Sequence, residues 1–82
     1  METIVYKMRE VALKHYRKRY DRNANPDSML LTSYKLLNGD FECFFTAGHS
    51  EELVLYQIIW YRDYNEYRVF CFRMTEMYDT TD

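Results

Sequence analysis

The spacing of apolar residues changes once along the chain. Between residues 3 and 22, apolar residues recur every three or four positions, which is the spacing of one helix face. That face consists of Ile4, Val5, Met8, Val11, Ala12 and Tyr16. Charged residues occupy the opposite side, where Glu10 and Lys14 form a four-apart pair in the favourable order. The segment is therefore predicted to be an amphipathic helix, followed by a linker over 23–28 because Pro26 disfavours helix just before it.

After the linker, β-branched and aromatic residues become frequent, which favours strands. Four strands are predicted, over residues 29–37, 41–47, 53–61 and 67–74. The turn at Asn38-Gly39 is the clearest, because both residue types tolerate positive φ. Further turns are predicted at 48–52 and 63–66. A helix that begins at Leu53, capped by Ser50, is the alternative to the third strand, but the β-branched and aromatic content favours the strand.

The third and fourth predicted strands, within VLYQIIWYRDYNEYRVFCF, have apolar residues on both of their faces. A strand with one face in water shows apolar residues on the other face only. Some other part of the molecule must therefore cover the second face, and a chain of 82 residues has little to spare for this purpose.

The order of residues from Tyr34 to Tyr78 resembles a family of small bacterial and phage proteins catalogued only as a domain of unknown function. The blocks that match the family pattern are Tyr34-Lys35, Asn38-Gly39 with Phe41, His49-Ser50-Glu51, Val54 to Gln57, Phe72-Arg73 and Met77-Tyr78. The family has a proline after the arginine where this chain has Met74, a longer turn after His-Ser-Glu, and no matching N-terminal helix. Its members look like short SH3-like β-barrels.

The predicted helix and strands indicate an α+β fold, and the length indicates a single domain over residues 1–82. The resemblance implies a barrel for the strand part. Helix 3–22 would pack on an SH3-like barrel or curled sheet of four to five antiparallel strands, residues 29–78, followed by a frayed acidic tail, 79–82. Closure would turn one face of each strand inward, and the helix would cover part of the outer face or an open barrel end. The residues expected to fill the inside are Leu55, Ile59, Val69 and Cys71, or those that alternate with them.

More aromatic side chains are present than one domain of this size can cover, since aromatic residues make up 18% of the chain. An apolar surplus on a protein surface usually marks a contact site. We therefore expect a non-enzymatic protein-binding module whose partner is another protein or a second copy, in the manner of a phage factor that binds a host protein. The predicted contact residues are Tyr56, Trp60, Tyr61, Tyr64, Tyr67 and Phe70.

Nucleic-acid binding is the alternative function. Residues 1–35 hold eight Lys/Arg and four acids, whereas residues 36–82 hold three Arg and nine acids, so the net charge of −2 divides into +4 and −6. The basic part includes HYRKRYDR, which mixes cations with Tyr16 and Tyr20 as stacking groups. The acidic part would repel phosphates unless only the helix docks. The candidate phosphate-binding residues are Lys14, Arg17, Lys18, Arg19 and Arg22.

Patterns of catalytic or metal-binding residues are weak. Residue types that bind zinc are present without the spacing of zinc ligands, so no metal and no other cofactor is expected. They are His15, His49, Cys43 and Cys71, of which the two cysteines are expected to be reduced and buried. A group of polar residues near one sheet edge has two interpretations. They form a pocket for a ligand, or they shape an ordinary turn while an arginine holds the tail through a charge-assisted bond. The second interpretation is favoured. The pocket would consist of His49, Ser50, Glu51, Arg73 and Glu76.

The composition places the chain among globular proteins, because 48% of its residues are hydrophobic. Its apolar runs do not reach the roughly 18 residues of a membrane span. It also lacks the pattern of a secretory leader. A cytoplasmic location without membrane contact is therefore expected.

Overall fold

The computed structural model describes residues 2–48 and 52–73. They form one helix, α1, a short 3-10 turn and four strands, β1 to β4, in the order α1, 3-10 turn, β1, β2, β3, β4. The bounds are α1 Glu2–Arg19, the 3-10 turn Pro26–Ser28, β1 Leu30–Leu37, β2 Asp40–Ala47, β3 Val54–Tyr61 and β4 Glu66–Arg73. The third segment is a strand, as the sequence predicts, and not the alternative helix.

Helix α1 buries the face that its apolar spacing predicts. Met8, Ala12 and Tyr16 lie in the core, and Leu13, which borders that face, is buried with them. Three further residues of the predicted face pack against the core while partly exposed. They are Ile4, Val5 and Val11. The helix is therefore held mainly by its packing on the sheet, as is usual for a segment of this length.

The helix ends at Arg19, three residues before the predicted end. The carbonyl oxygen of Tyr16 accepts hydrogen bonds from two backbone amides, those of Tyr20 at 2.8 Å and Asp21 at 3.1 Å. The Asp21 carboxylate then accepts a bond from the backbone amide of Asn23 at 3.0 Å, which holds the chain in a turn. These bonds satisfy groups at the helix end and turn the chain toward Pro26 before any further helical residue can add.

The four strands form one antiparallel sheet in the order β1-β2-β3-β4, so each strand pairs with its neighbours in sequence. A bulge between Leu31 and Ser33 interrupts the pairing of β1 with β2. The α+β prediction is confirmed, but within residues 2–48 and 52–73 the sheet is not closed and has no fifth strand. Barrel closure would have covered one face of the sheet, and α1 supplies that cover instead.

Residues with positive φ lie in the turns after β1 and β3, and Gly48 after β2 also has a positive φ, +101°. Asn38 and Gly39 have φ of +51° and +93°, which agrees with the predicted two-residue hairpin turn. The turn between β3 and β4 covers residues 62–65 and has Asn65 at φ +51° with its amide bonded to the carbonyl of Arg62 at 3.4 Å. It begins one residue earlier than predicted, so Tyr61 pairs with Glu66.

Because of the position of this second turn, the four residues predicted to fill the inside of a barrel do not all lie on one face of the sheet. Ile58 pairs with Val69 and Tyr56 with Cys71, whereas Leu55 pairs with Phe72. Directly opposed residues of two strands share a face of the sheet. Leu55 and Ile59 therefore lie on one face, and Val69 and Cys71 lie on the other. The sequence prediction placed these four residues on one face because it assumed a turn that begins one residue later. A shift of the turn by one residue moves every side chain of β4 to the opposite face of the sheet.

The core lies between α1 and one face of the sheet. The most deeply buried strand residues alternate along β2 and β3. They are Phe41, Cys43, Phe45 and Ala47 on β2, and Val54, Tyr56 and Ile58 on β3. Ala24 and Met29, on either side of the 3-10 turn, are buried with them and close one end of this layer. We call the surface formed by these residues and their neighbours on β1 and β4 the helix face of the sheet.

Candidate functional site

About half of the residues on the sheet face that points away from α1 are apolar. Its members follow from the strand register, since residues that alternate with the core point to the opposite side. We call this surface the open face. Its apolar residues are Leu30, Phe44, Leu55, Ile59, Tyr61, Phe70 and Phe72.

Exposure is uneven across the open face. Leu30 is 62% exposed, Phe70 41% and Phe72 42%, while the other four apolar residues are half-buried among their neighbours. In the described part of the chain, α1 is the only helix longer than one turn, and it packs against the core on the helix face. The second apolar face, which the sequence predicts to be covered, is therefore uncovered by any described element.

A polar strip crosses the middle of the open face. Glu42 is only 7% exposed, and its two carboxylate oxygens contact groups on the strands at either side. One oxygen accepts a hydrogen bond from the Gln57 amide at 2.7 Å, and the other lies 3.6 Å from the Lys35 ammonium. Nearer the β4 edge, Arg68 lies 4.0 Å from Glu66. Four charged residues of this face, Lys35, Glu42, Glu66 and Arg68, thus have partners inside it.

The six predicted aromatic contact residues separate into three locations. Tyr61 and Phe70 lie on the open face, and Tyr64 lies in the β3–β4 turn, 77% exposed. Trp60 and Tyr67 pair on the helix face with ring centroids 4.8 Å apart, both half-buried. The predicted hairpin surface is therefore not one continuous patch.

Tyr56 is fully buried, which corrects the prediction that its ring is exposed. Its position in β3 points to the helix, where its hydroxyl is 2.7 Å from Nδ1 of His15 and the two rings meet edge to face. Burial, followed by the neighbouring Cys71, raises the pKa of the Tyr56 hydroxyl, which stays protonated. Burial, followed by the charges of Arg19 and Lys18, lowers the pKa of His15.

Sequence reasoning missed five members of the open face. Leu30, Phe44, Leu55, Ile59 and Phe72 share the two-residue phase of Tyr61 and Phe70, but that phase depends on the register of all four strands. The sequence signal that could have found these five residues is the apolar character of both faces of the strands. It indicates a second contact surface without telling which face the helix covers.

The cysteines take part in packing. Cys43 is buried, and its thiol lies 3.0 Å from the Met8 sulfur. Burial, followed by the charge of Glu42, raises the pKa of the Cys43 thiol to about 12, so it is protonated at neutral pH. Cys71 is half-buried and contacts the Tyr20 hydroxyl at 3.9 Å. Both thiols are free, and the prediction of burial is confirmed in full for Cys43 only.

Four of the five predicted phosphate-binding cations line one cleft on the outer side of α1. It has a volume of about 790 Å³, and its walls include Val11, Leu13 and Pro26. Arg19 does not line this cleft, and the ring of Tyr16 is buried on the opposite side of the helix. The charged lining residues are Glu10, Lys14, Arg17, Lys18 and Arg22, and we call this site the basic cleft.

The predicted polar pocket lies largely outside the described residues. That is the case for His49, Ser50, Glu51 and Glu76, as it is for the predicted tail over 79–82. Arg73 is the last residue of β4, where it pairs with Val54. Among residues 2–48 and 52–73, no group of three or more His, Cys, Asp or Glu side chains is arranged to hold a metal ion. In the same ranges, no helix has the length and apolar character needed to cross a membrane.

Comparison with known proteins does not assign the chain to a family. No family model matches it, and neither does any curated protein or solved structure. The resemblance to the small SH3-like family thus stays a prediction, and the argument for function depends on the open face and the basic cleft.

Proposed function

We propose that this chain is a non-enzymatic protein-binding domain whose contact surface is the open face of its sheet. The observation that carries the proposal is a set of apolar residues on a sheet face that no described element covers. Soluble monomers seldom expose contiguous apolar patches larger than a few hundred Å². Full burial of a Leu, Ile or Phe side chain stabilises an interface by roughly 1.5–3 kcal/mol relative to exposure.

A second copy of the chain is the occupant that the face fits best. Four strands about 4.8 Å apart, with eight residues each at about 3.3 Å, give a face of roughly 19 by 26 Å. Two such faces, at roughly 500 Å² each in projection, reach the roughly 1,000 Å² that a specific interface needs. Sheets packed in this way lie about 10 Å apart, as in a sandwich.

The buried carboxylate of the open face does not oppose this packing. Glu42 is already bonded to Gln57 and lies beside Lys35, so its carboxylate needs no partner from the second copy. A buried charge without a partner would cost several kcal/mol, whereas a charge with its own hydrogen bonds avoids most of that cost. Contact between two identical faces satisfies the requirement of a twofold interface.

Binding is favoured over catalysis by the state of Cys43 and His15, two side chains with the chemistry of a nucleophile and a base. Cys43 is protonated and buried against Met8, and a thiol reacts as the thiolate. The Nδ1 atom of His15 is engaged by the Tyr56 hydroxyl. The further idea that the partner is a host protein bound by a phage factor depends on the family resemblance alone.

The test is solution mass by light scattering behind a sizing column, over a range of protein concentrations and at low and high salt. We expect a salt-resistant dimer, because an apolar interface is screened little by ions. Phe70→Ser and Phe72→Ser should each weaken the dimer about tenfold or more, which is about 1.4 kcal/mol. Tyr64→Ser is the matched control, since Tyr64 is an exposed aromatic residue in the turn.

The control should leave the dimer constant unchanged, with the fold of every variant checked by circular dichroism. A monomer at all concentrations would exclude the second copy and leave the open face for a different protein. A dimer that Phe70→Ser and Phe72→Ser leave intact would show that another surface associates, and would contradict the proposal.

A further inference from the structure

The basic cleft concentrates positive charge on the side of the molecule opposite the open face. Lys14, Arg17 and Lys18 are three and four residues apart, so they form one stripe on the side of α1 away from the sheet. Arg22 joins them because the chain turns back after the helix ends. With one carboxylate, Glu10, the lining carries three net positive charges in a chain whose net charge is −2.

These cations lack acidic partners. In the described part of the chain, no carboxylate lies within 4.0 Å of a charged nitrogen of Lys14, Arg17, Lys18 or Arg22, including Glu10 in the same cleft. The four-apart pair predicted for Glu10 and Lys14 is therefore not formed. Like charges four residues apart destabilise a helix, as for Lys14 and Lys18.

The helix dipole accounts for only part of this arrangement. Arg17 and Lys18 lie in the last turn of α1, where cations are favourable. Lys14 precedes that turn and Arg22 lies beyond the helix end, so neither gains much from the dipole, which acts within about one turn. The cluster as a whole is explained better by an anionic ligand than by helix stability.

Arg17 is held in place by the loop beside the cleft. Its Nε donates a hydrogen bond of 2.7 Å to the carbonyl oxygen of Ala24, whose side chain is buried in the core. Among the described residues the guanidinium has no other hydrogen-bond partner. Its remaining N–H donors are thus free for a ligand, and the side chain loses less entropy on binding because one bond already fixes it.

We propose that the basic cleft binds the phosphodiester backbone of a nucleic-acid strand, without reading its bases. Regularly spaced phosphates match a row of cations, and guanidinium groups bind them in a bidentate manner. The lining contains no aromatic ring on which a base would stack. The affinity is therefore almost entirely electrostatic, with dissociation constants of about 10⁻⁴ to 10⁻⁶ M at physiological salt.

The salt dependence gives a quantitative expectation. Four phosphate contacts predict a slope of log K against log salt of about −3.6 for a duplex and about −2.8 for a single strand. Removal of one cleft cation should make the slope shallower by about one unit.

The experiment is fluorescence anisotropy with a labelled single-stranded oligonucleotide and its duplex, between about 50 and 200 mM salt. Lys14→Gln and Arg22→Gln should each weaken binding several-fold and reduce the slope. Lys7→Gln is the matched control, because Lys7 is an exposed cation of α1 that does not line the basic cleft. Comparison of the single-stranded oligonucleotide with its duplex shows which form of nucleic acid the cleft binds.

Arg17→Lys separates positioning from charge. It keeps the cation but loses the guanidinium that bonds to Ala24, so affinity should fall while the salt slope stays the same. Poly-glutamate of equal charge serves as a competitor. The proposal is overturned if poly-glutamate competes as well as the oligonucleotide, if Lys7→Gln acts like the cleft variants, or if neither nucleic acid binds at low salt.

Discussion

The two faces of this sheet come from alternating residues of the same strands, yet they have different environments. Phe45 and Ile58 on the helix face are fully buried, whereas their sequence neighbours Phe44 and Ile59 on the open face are half-buried. The two members of each pair are equally apolar. The difference is that α1 covers one face, so burial in this protein is decided by the covering element more than by residue type.

The polar groups of the two faces differ as well. The helix face contains neutral groups, such as Tyr56 with His15, that bond across the helix–sheet boundary. The Arg9 guanidinium borders this face, 5.7 Å from the Phe45 ring, and its Nε is buried without a hydrogen-bond partner. The open face instead has a carboxylate bonded within the sheet. The face that α1 covers thus differs chemically from the open face.

The largest contrast should come from Phe45→Ala compared with Phe44→Ala. Phe45→Ala leaves a cavity under α1 and should cost about 3–5 kcal/mol of unfolding free energy. Phe44→Ala should cost about 1 kcal/mol in dilute protein, because its ring already meets water. Urea unfolding at low protein concentration measures both changes.

If Phe45→Ala does not fold, Ile58→Val and Ile59→Val give the same comparison, with about 0.5–1.5 kcal/mol for the buried residue and less for its neighbour. The loss in Phe44→Ala should grow with protein concentration if the open face makes a dimer, since association stabilises the folded state. Equal losses for the neighbouring residues would contradict a difference between the faces.

An intermediate effect is expected from Gln57→Leu on the open face. The substitution removes the 2.7 Å hydrogen bond to Glu42 and leaves a carboxylate that is 7% exposed beside Lys35 alone. The expected loss in unfolding free energy is about 1–3 kcal/mol, measured by urea unfolding. The double variant Glu42→Leu with Gln57→Leu should recover much of it, because no buried charge is left without a partner and the Lys35 ammonium, 60% exposed, stays in water. A single variant as stable as the parent would show that the bond contributes little.

The smallest expected effect is the change of unfolding free energy with pH that comes from His15, which packs against the helix face. Burial lowers the pKa of His15 below the 6.5 of the unfolded chain, so the unfolded state binds more protons in the interval below that value. Stability is therefore full above about pH 6.5 and declines as the pH falls through the pKa of the folded state. Urea midpoints at about pH 7.5 and 5.5, above the range where carboxylates titrate, should show this decline. His15→Gln should flatten it, and a decline that persists in this variant would have another cause.

Much of the local structure was predictable, because its signals are short-range. Asn38-Gly39 determined its own turn, and three- and four-residue spacing determined the buried face of α1 and the cation stripe that includes Lys14. The burial of Tyr56 was not predictable, since β3 is apolar on both faces and its phase depends on where α1 lies. The hydrogen bond from Arg17 to Ala24 was also not predictable, because it depends on the path that the chain takes after the helix ends.

The unbroken strand order has a consequence for how the protein folds. Each hairpin forms from residues that are close along the chain, and such contacts form quickly. The contacts that attach α1, Met8 with Cys43 and His15 with Tyr56, join residues 35 and 41 positions apart and close much longer loops. We therefore expect the hairpins to form first and helix docking to come last. Until the helix docks, both faces of the newly formed sheet are exposed to solvent.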